Sequence, residues 1–294
     1  MMDVPFDDRD GWIWMDGTFV PWREAKIHFL SHGLHYASAV FEGGRAYGGK
    51  IFKCAEHTAR LFYSAGALHM KIPFSESQIT QACDDVVAKN GLIDAYVRPL
   101  AWRGPEQMGI AGLRTRTHVA IAAWAWPSLF SEEQRMRGLR LMISKWRRTS
   151  PDTAPVHAKA SGLYVICTLT KHEADAGGYD DALMLDYRGQ IAEGTGANVF
   201  FVKEGALHTP LPDCFLNGLT RQTAIALAKR RGIAVHERVI MPDELPTFEQ
   251  AFLTGTAAEI APIGQIGEHK FAVGDIVRQL VNDYAAEVRA PLSI

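Results

Sequence analysis

Apolar residues recur along the chain with two periods, two residues in some stretches and about 3.6 in others, and the two patterns predict strands interleaved with helices throughout. Trp12-Ile13-Trp14-Met15 and Phe19-Val20-Pro21-Trp22 flank Asp16-Gly17, a pair that tolerates positive φ, and predict an opening hairpin. Apolar stretches at 40–47 and 51–53 surround Gly48-Gly49 as a second hairpin. A helix is expected over 55–68, with Leu61, Phe62, Ala65 and Leu68 on one stripe. In the next helix Ser75 and Gln78 form a capping box, Ile79, Ala82, Cys83, Val86 and Val87 share one face, and Gly91 ends it. Strands at 95–103 and 117–126 complete an N-terminal α/β unit.

The segment 127–138, polar after Phe130 and charged at Glu132, Glu133, Arg135 and Arg137, is the expected interdomain linker. Beyond it the pattern predicts a strand at 139–144, a loop rich in Thr, Ser and Pro, and a helix at 162–176 ending at Gly177-Gly178. Strands follow at 182–186, 190–192, 198–203 and 206–209, the last two joined across Glu204-Gly205. A helix at 220–231 capped by Gly232, strands at 233–237 and 251–254, and a final helix at 275–288 complete the reading. No internal repeat or low-complexity segment interrupts it.

The 294 residues are long for a single core, so two domains are expected. Basic and acidic residues nearly balance, 31 against 33, which leaves no general field for nucleic acid. The densest basic cluster, Lys145-Trp146-Arg147-Arg148, reads as a solvated loop. Cys54, Cys83, Cys167 and Cys214 lack metal or redox spacing and read as reduced thiols of a cytoplasmic protein. The acidic N-terminus has no signal-peptide pattern, and the longest apolar run, 119–126, is too short to span a membrane.

Candidate chemistry centres on Lys159. Between Asp152 and Lys171 it is the only formally charged residue, set among Val156, Ala158, Ala160 and Leu163. Desolvation favours the neutral, nucleophilic amine that forms a Schiff base. The same neighbours also suit a lysine whose stem packs on a core while its head reaches solvent. Glu193 precedes Gly194-Thr195-Gly196-Ala197-Asn198 with no other charge from 189 to 202, and two readings stand: a cap for backbone amides, or a partner for a heterocyclic nitrogen. Gly218-Leu219-Thr220 before a helix and Gly255-Thr256-Ala257-Ala258 after a strand offer amides and hydroxyls to an anion, or simply terminate their elements. The Gly194–Gly196 turn is not a dinucleotide fingerprint, since GxGxxG fails at Val199. His32 and His35 have no accompanying Cys or carboxylate that would make a metal site.

Taken in order, Ser31-His32-Gly33-Leu34-His35-Tyr36, Val40-Phe41-Glu42-Gly43-Gly44-Arg45, Tyr96-Val97-Arg98-Pro99-Leu100, His157-Ala158-Lys159-Ala160, Glu193-Gly194-Thr195-Gly196-Ala197-Asn198, Gly218-Leu219-Thr220-Arg221 and Gly255-Thr256-Ala257-Ala258-Glu259-Ile260 resemble the branched-chain amino-acid aminotransferases. These are fold-type-IV enzymes that use pyridoxal 5'-phosphate. The resemblance implies an α/β (α+β) architecture with a smaller N-terminal α/β domain at 1–126, the linker at 127–138 and a larger, β-rich cofactor-binding domain at 139–294. It also implies a cytoplasmic homodimer or higher homo-oligomer with its active site at the subunit interface.

By the same resemblance Lys159 forms the Schiff base and moves the proton, Glu193 pairs with the pyridine nitrogen and Tyr164 contacts the phenolic oxygen. Arg60 would clamp the phosphate with Leu219, Thr220 and Thr256. The substrate α-carboxylate falls to Tyr96 and the Thr256-Ala257 turn, and a distal carboxylate to Arg98. An apolar pocket would be lined by Tyr36, Phe41, Trp126, Leu129 and Ile110 of the partner subunit, with Arg45 in the same set. The implied reaction transfers the amino group of Leu, Ile or Val to 2-oxoglutarate.

Leu129 stands where many relatives carry tyrosine, Asn217 where proline is usual, and Arg103 and Glu106 bring charge after the Tyr96 strand. Rival readings on the same scaffold are a D-amino-acid or (R)-amine transaminase, an aminodeoxychorismate lyase, and a binding protein that has kept the fold without the activity.

Overall fold

A computed structural model describes residues 4–126 and 129–290. Positions 1–3, 127–128 and 291–294, including the first two of the expected linker, lie outside the described residues. The chain divides into two compact units, Met1–Pro127 with Ala158–Gly162, and Ser128–His157 with Leu163–Ile294. The short piece carrying Lys159 thus belongs with the first unit, although the sequence reading placed it in the second domain. Within the expected linker, Glu132–Arg137 forms a helix of the second unit, capped by Ser131, which accepts from Gln134 N–H at 3.2 Å.

The first unit is built on strands β1 (Trp12–Met15), β2 (Thr18–Pro21), β3 (Ala39–Phe41), β4 (Gly44–Tyr47), β5 (Lys50–Ile51), β6 (Ala95–Arg103) and β7 (Thr117–Ala125). They form a seven-stranded antiparallel sheet ordered β2-β1-β7-β6-β4-β5, with β3 also on β6. Asp16 and Gly17 turn the first hairpin with φ of 47° and 96°. Helices α1 (His32–Tyr36), α2 (Cys54–Ala67) and α3 (Glu76–Lys89) complete the unit. The capping box of α3 is formed, Gln78 Oε1 accepting from Ser75 N–H at 2.8 Å, and its expected apolar stripe is buried.

The stretch 40–47, expected as one strand, is two. Phe41 lies opposite Leu100 and Gly44 opposite Val97, an unchanged register that sets Glu42 against Pro99. Glu42 N–H donates to Pro99 O at 2.8 Å, but Pro99 has no N–H to return, so the ladder is interrupted there.

The second unit contains β8 (Leu139–Arg148), β9 (Asp181–Asp186), β10 (Ile191–Gly194), β11 (Asn198–Lys203), β12 (Ala206–Pro210), β13 (Val235–Arg238), β14 (Gln250–Gly255), β15 (Glu259–Ile266) and β16 (His269–Lys270). The order is β10-β9-β8-β15-β14-β11-β12-β13, and β10 also pairs β11, which closes β10, β9, β8, β15, β14 and β11 into a ring. Leu139, Leu141, Leu183, Ile191, Val199, Phe201, Leu253 and Ile263 belong to one buried cluster in this unit. Helix α4 is Glu132–Arg137, and α5 (Val165–Ala176), α6 (Leu219–Arg230) and α7 (Asp275–Glu287) complete the set. Helices α6 and α7 pack on β14 and β15, and Phe252 of β14 stacks on Phe200 of β11 at 4.9 Å, a contact worth about 1 kcal/mol beyond its burial.

The sequence pattern does not predict β15. Pro262 and Gly264 argue against a central strand, yet β8 comes alongside only from Ile263, so the missing N–H of Pro262 costs no ladder bond to it. Helix α5 begins at Val165, after a 3₁₀ turn at Ser161–Tyr164, rather than at 162.

Candidate active site

In the first unit Lys159 is held through its backbone on two sides. Its N–H donates to Ser64 Oγ of α2 at 2.9 Å, its carbonyl accepts from Phe41 N–H at 3.1 Å, and Ala160 bridges Val40 of β3. The ammonium lies 4.9 Å from the Phe41 ring centroid. Burial pushes the Lys159 amine below its ordinary value, opposed by the charge of Glu42 and reinforced by that of Arg60. A desolvated amine on a fixed backbone is what the lysine needs in order to act as a nucleophile.

Glu42 is fully buried and is met by both His57 and Arg60 of α2. Arg60 Nε donates to Oε1 at 2.6 Å and Nη2 to Oε2 at 2.8 Å, while His57 Nδ1 stands 2.7 Å from Oε2. Burial alone would raise this carboxyl, but the hydrogen bonds and charge of Arg60, then of His57, hold it at about 2.

Phe41 lies against a second cation as well. Arg98 Cζ stands 4.8 Å from the Phe41 centroid and 5.2 Å from that of Tyr96, and Arg98 Nη2 donates to Tyr96 Oη at 3.2 Å. Tyr96 also packs against Trp124 and Trp126, at 5.1 and 5.5 Å between centroids. A Cβ at Gly43 would fall 2.0 Å from Tyr96 Oη, so only glycine lets this tyrosine lie across the β3–β4 junction. Arg45 is buried opposite Tyr96 in register and reaches the Trp126 carbonyl at 3.5 Å. Among the described residues, buried Arg98 Nε, Trp124 Nε1 and Trp126 Nε1 have no hydrogen-bond partner. Tyr36 and Ile110 are exposed, at 42% and 88%.

In the second unit Glu193 of β10 faces Arg148 of β8, with Arg148 Nε 3.2 Å from Glu193 Oε1 and both side chains nearly withdrawn from solvent. Burial works against the Arg148 cation, yet the charge of Glu193 holds its pKa above the ordinary value. Asn198 Nδ2 donates to Glu193 Oε2 at 3.3 Å and to Leu216 O at 2.9 Å, and Asn198 Oδ1 accepts from Gly218 N–H at 3.2 Å. One side chain thus connects the carboxylate to the start of α6. A Cβ on Gly218 would meet Asn198 Oδ1 at 2.4 Å.

Helix α6 begins at Leu219 behind Gly218, and first-turn amides have no partner within a helix, which suits an anion. Thr220 is buried there. Thr254, opposite Asn198 in register, has a buried Oγ1 without a partner among the described residues. Thr256 and Ala257 form the half-buried turn after β14, and Leu129 is 46% exposed. Arg148 Nη1 reaches Leu163 O, next to Tyr164, at 3.4 Å.

Two sequence readings are corrected here. The 145–148 cluster is strand rather than loop, with Lys145, Trp146 and Arg147 exposed as expected but Arg148 only 4% exposed. Glu193 is not isolated in charge, because β8 brings that arginine to it. Glu42, His57, Arg148 and Asn198 were not singled out from the sequence. The charges introduced at Arg103 and Glu106 are engaged locally: Arg103 donates to the carbonyls of Gly112, Leu68 and His69 at 2.9, 3.0 and 2.8 Å, and Glu106 pairs with Arg116 at 2.9 Å. Buried His32 brings Nε2 within 3.0 Å of Gly109 O, so it helps anchor the 104–116 loop.

Known proteins resemble the chain over most of its length. The model of the family "Amino-transferase class IV" matches residues 39–266. The chain is 43% identical over 282 residues to a protein of Rickettsia conorii named probable branched-chain-amino-acid aminotransferase, covering 94% of this chain and 96% of that protein. It superposes with a TM-score of 0.91 and 40% identity on the T.th. branched-chain amino acid aminotransferase with pyridoxamine 5'-phosphate, covering 95% and 94% of the two chains. The same T.th. enzyme complexed with N-(5'-phosphopyridoxyl)-L-glutamate gives 0.90 and 39%, with the same coverage.

The residues present fit a phosphorylated aromatic aldehyde. The first unit has a desolvated amine, and the second has a buried carboxylate for a ring nitrogen, a helix N-terminus for a phosphate and, opposite Asn198 in register, a buried Thr254 hydroxyl without a partner among the described residues. By sequence, fold and side-chain chemistry, this chain belongs to the class IV aminotransferases, of fold type IV, and is a pyridoxal-phosphate-dependent transaminase.

Proposed function

We propose that the chain transfers the amino group of L-leucine, L-isoleucine or L-valine to 2-oxoglutarate. The observation that carries this reading is the Phe41 ring, with Lys159 Nζ 4.9 Å from its centroid and Arg98 Cζ 4.8 Å from it. An apolar ring suits an aliphatic side chain, and a guanidinium within reach suits the distal carboxylate of glutamate or 2-oxoglutarate. One site thereby accepts both halves of the exchange. The R. conorii protein carries a branched-chain name, and the T.th. enzyme is complexed with a glutamate adduct of the cofactor, which supports both substrate classes.

Pyridoxal phosphate supplies the aldehyde that takes up the amino group and a ring that stores the electron pair released at the substrate Cα. Lys159 would hold the cofactor through its amine, and would take and return the Cα proton of the substrate. Glu193 holds a proton at the ring nitrogen, with Arg148 and Asn198 fixing its oxygens. Tyr164 contacts the phenolic oxygen. Arg60, Thr256 and the amides of Leu219 and Thr220 bind the phosphate. Tyr96 and the Thr256-Ala257 turn take the α-carboxylate. Tyr36, Arg45, Trp126, Leu129 and Ile110 of the partner subunit border the side-chain pocket.

We assign the enzyme to the cytoplasm and to a homodimer. Four free cysteines support the first, and exposed Phe29, Leu34, Ile110 and Leu113 on the first unit support the second. Among the described residues no helix is long and apolar enough to cross a membrane.

Steady-state turnover with each branched-chain L-amino acid and 2-oxoglutarate tests the substrates. Activity with all of them, and little with D-alanine or an (R)-arylalkyl amine, is expected. Turnover confined to D-alanine or the amine would transfer the function to those donors, and pyruvate release from aminodeoxychorismate would make the chain a lyase.

A further inference from the structure

The fully buried carboxylate of Glu42 has no part in the assignments above, yet it is the most heavily engaged polar group of the first unit's site. Both oxygens accept from separate nitrogens of Arg60, at 2.6 and 2.8 Å, and Oε2 also lies 2.7 Å from His57 Nδ1 and 3.3 Å from Gly43 N. His57 and Arg60 are three residues apart on α2 and so share one face. From the strand side, Glu42 N–H is tied to Pro99 O, at the point where Pro99 interrupts the ladder. The carboxylate is therefore held from the β3–β4 junction and from α2 together, and is fixed in plane.

Charge balance alone would need one contact between carboxylate and guanidinium. A two-point fork does more, because the guanidinium is rigid and planar and engagement of Nε and Nη2 sets the direction of its other N–H donors. We propose that Glu42 is a positioning residue for the cofactor, orienting Arg60 so that the guanidinium meets the phosphate in a fixed geometry. This rests on the assignment of Arg60 to the phosphate. Glu42 itself touches neither cofactor nor substrate in this proposal, and, apart from the charge it presents to Lys159, it acts at the phosphate end of the ligand.

The test is a comparison of dissociation constants for pyridoxal 5'-phosphate and for pyridoxal, which lacks the phosphate, in protein stripped of cofactor. Wild type should prefer the phosphorylated ligand, and Arg60→Ala should lose about tenfold or more of that preference, as expected for a charge-assisted contact. Glu42→Gln should lose a comparable share of that preference, any change made through the Lys159 amine acting on both ligands alike. Equal weakening of both ligands in Glu42→Gln, or an undiminished preference, would overturn the positioning role while leaving Arg60 in place. An undiminished preference in Arg60→Ala would overturn the phosphate assignment and the proposal with it. Should Glu42→Gln fail to fold, Arg60→Lys decides. A lysine keeps the charge but cannot form the fork, so it should lose the preference as Arg60→Ala does, and a wild-type preference would refute the proposal.

Discussion

Arg148 of β8 and Glu193 of β10 face each other at 3.2 Å, with side chains only 5% and 11% exposed. A charge so far from water persists only with its counter-charge and its hydrogen bonds in place. Arg148→Gln leaves the Glu193 carboxylate buried opposite a neutral group, still hydrogen-bonded by Asn198. The substitution should destabilise the protein by about 3 kcal/mol or more, visible as a lower denaturant midpoint, and should reduce turnover in the protein that remains folded. An unchanged midpoint and an unchanged kcat would show that the pair has no such role.

Lys159→Ala should abolish transamination, a loss on the order of 10⁴-fold or more, without lowering stability greatly. Borohydride reduction of the wild-type holoenzyme should leave the cofactor attached to the peptide containing Lys159, and the variant should yield no labelled peptide. Label on another lysine would refute the assignment.

The pattern that made the fold legible was local. Ser75 with Gln78, Asp16-Gly17 and Glu204-Gly205 each fix backbone geometry within a few residues, and the corresponding cap and turns are present. The burial of Lys159 was legible because its neighbours in sequence, Val156, Ala158 and Ala160, are buried with it. Arg148 was hidden by the register shift of β8 against β9 between Ile143 and Arg147, which returns a residue from a basic cluster to the buried side. No periodicity in the sequence marks that shift. Glu42 was hidden because it lies within an apolar run, and only the pairing with Pro99 and α2 makes it a buried acceptor. Asn198 looked like the end of a glycine-rich turn, and its tie to Gly218 spans a separation that only the folded sheet closes.

Acid stability should depend on Glu42. Its carboxyl titrates at about 2 in the folded protein against an ordinary value of 4.5. A depressed carboxyl stabilises the fold fully above the unfolded value, and this contribution is lost as pH falls from about 4.5 to about 2, a difference of about 3 kcal/mol. Denaturant midpoints followed over that interval should fall more steeply for wild type than for Glu42→Gln. Parallel curves would remove the carboxylate from the acid response.

Arg98→Gln should separate the two substrate classes. Loss of a charged donor to the distal carboxylate should raise KM for 2-oxoglutarate and glutamate by about ten- to a hundredfold, while KM for L-leucine changes little. A matched rise for leucine would instead mean that Arg98 supports the site as a whole through Tyr96 and Phe41.

The proposed reaction passes the amino group of a branched-chain L-amino acid to the cofactor, with Lys159 moving the Cα proton. The most direct test is a single half-reaction, in which the absorption spectrum of the purified holoenzyme is followed after L-leucine, D-alanine or an (R)-arylalkyl amine is added without any acceptor. Rapid conversion of the aldehyde form of the cofactor to its amine form with L-leucine, and not with the other two, is the predicted result. Conversion with D-alanine or the amine while L-leucine leaves the spectrum unchanged would contradict it.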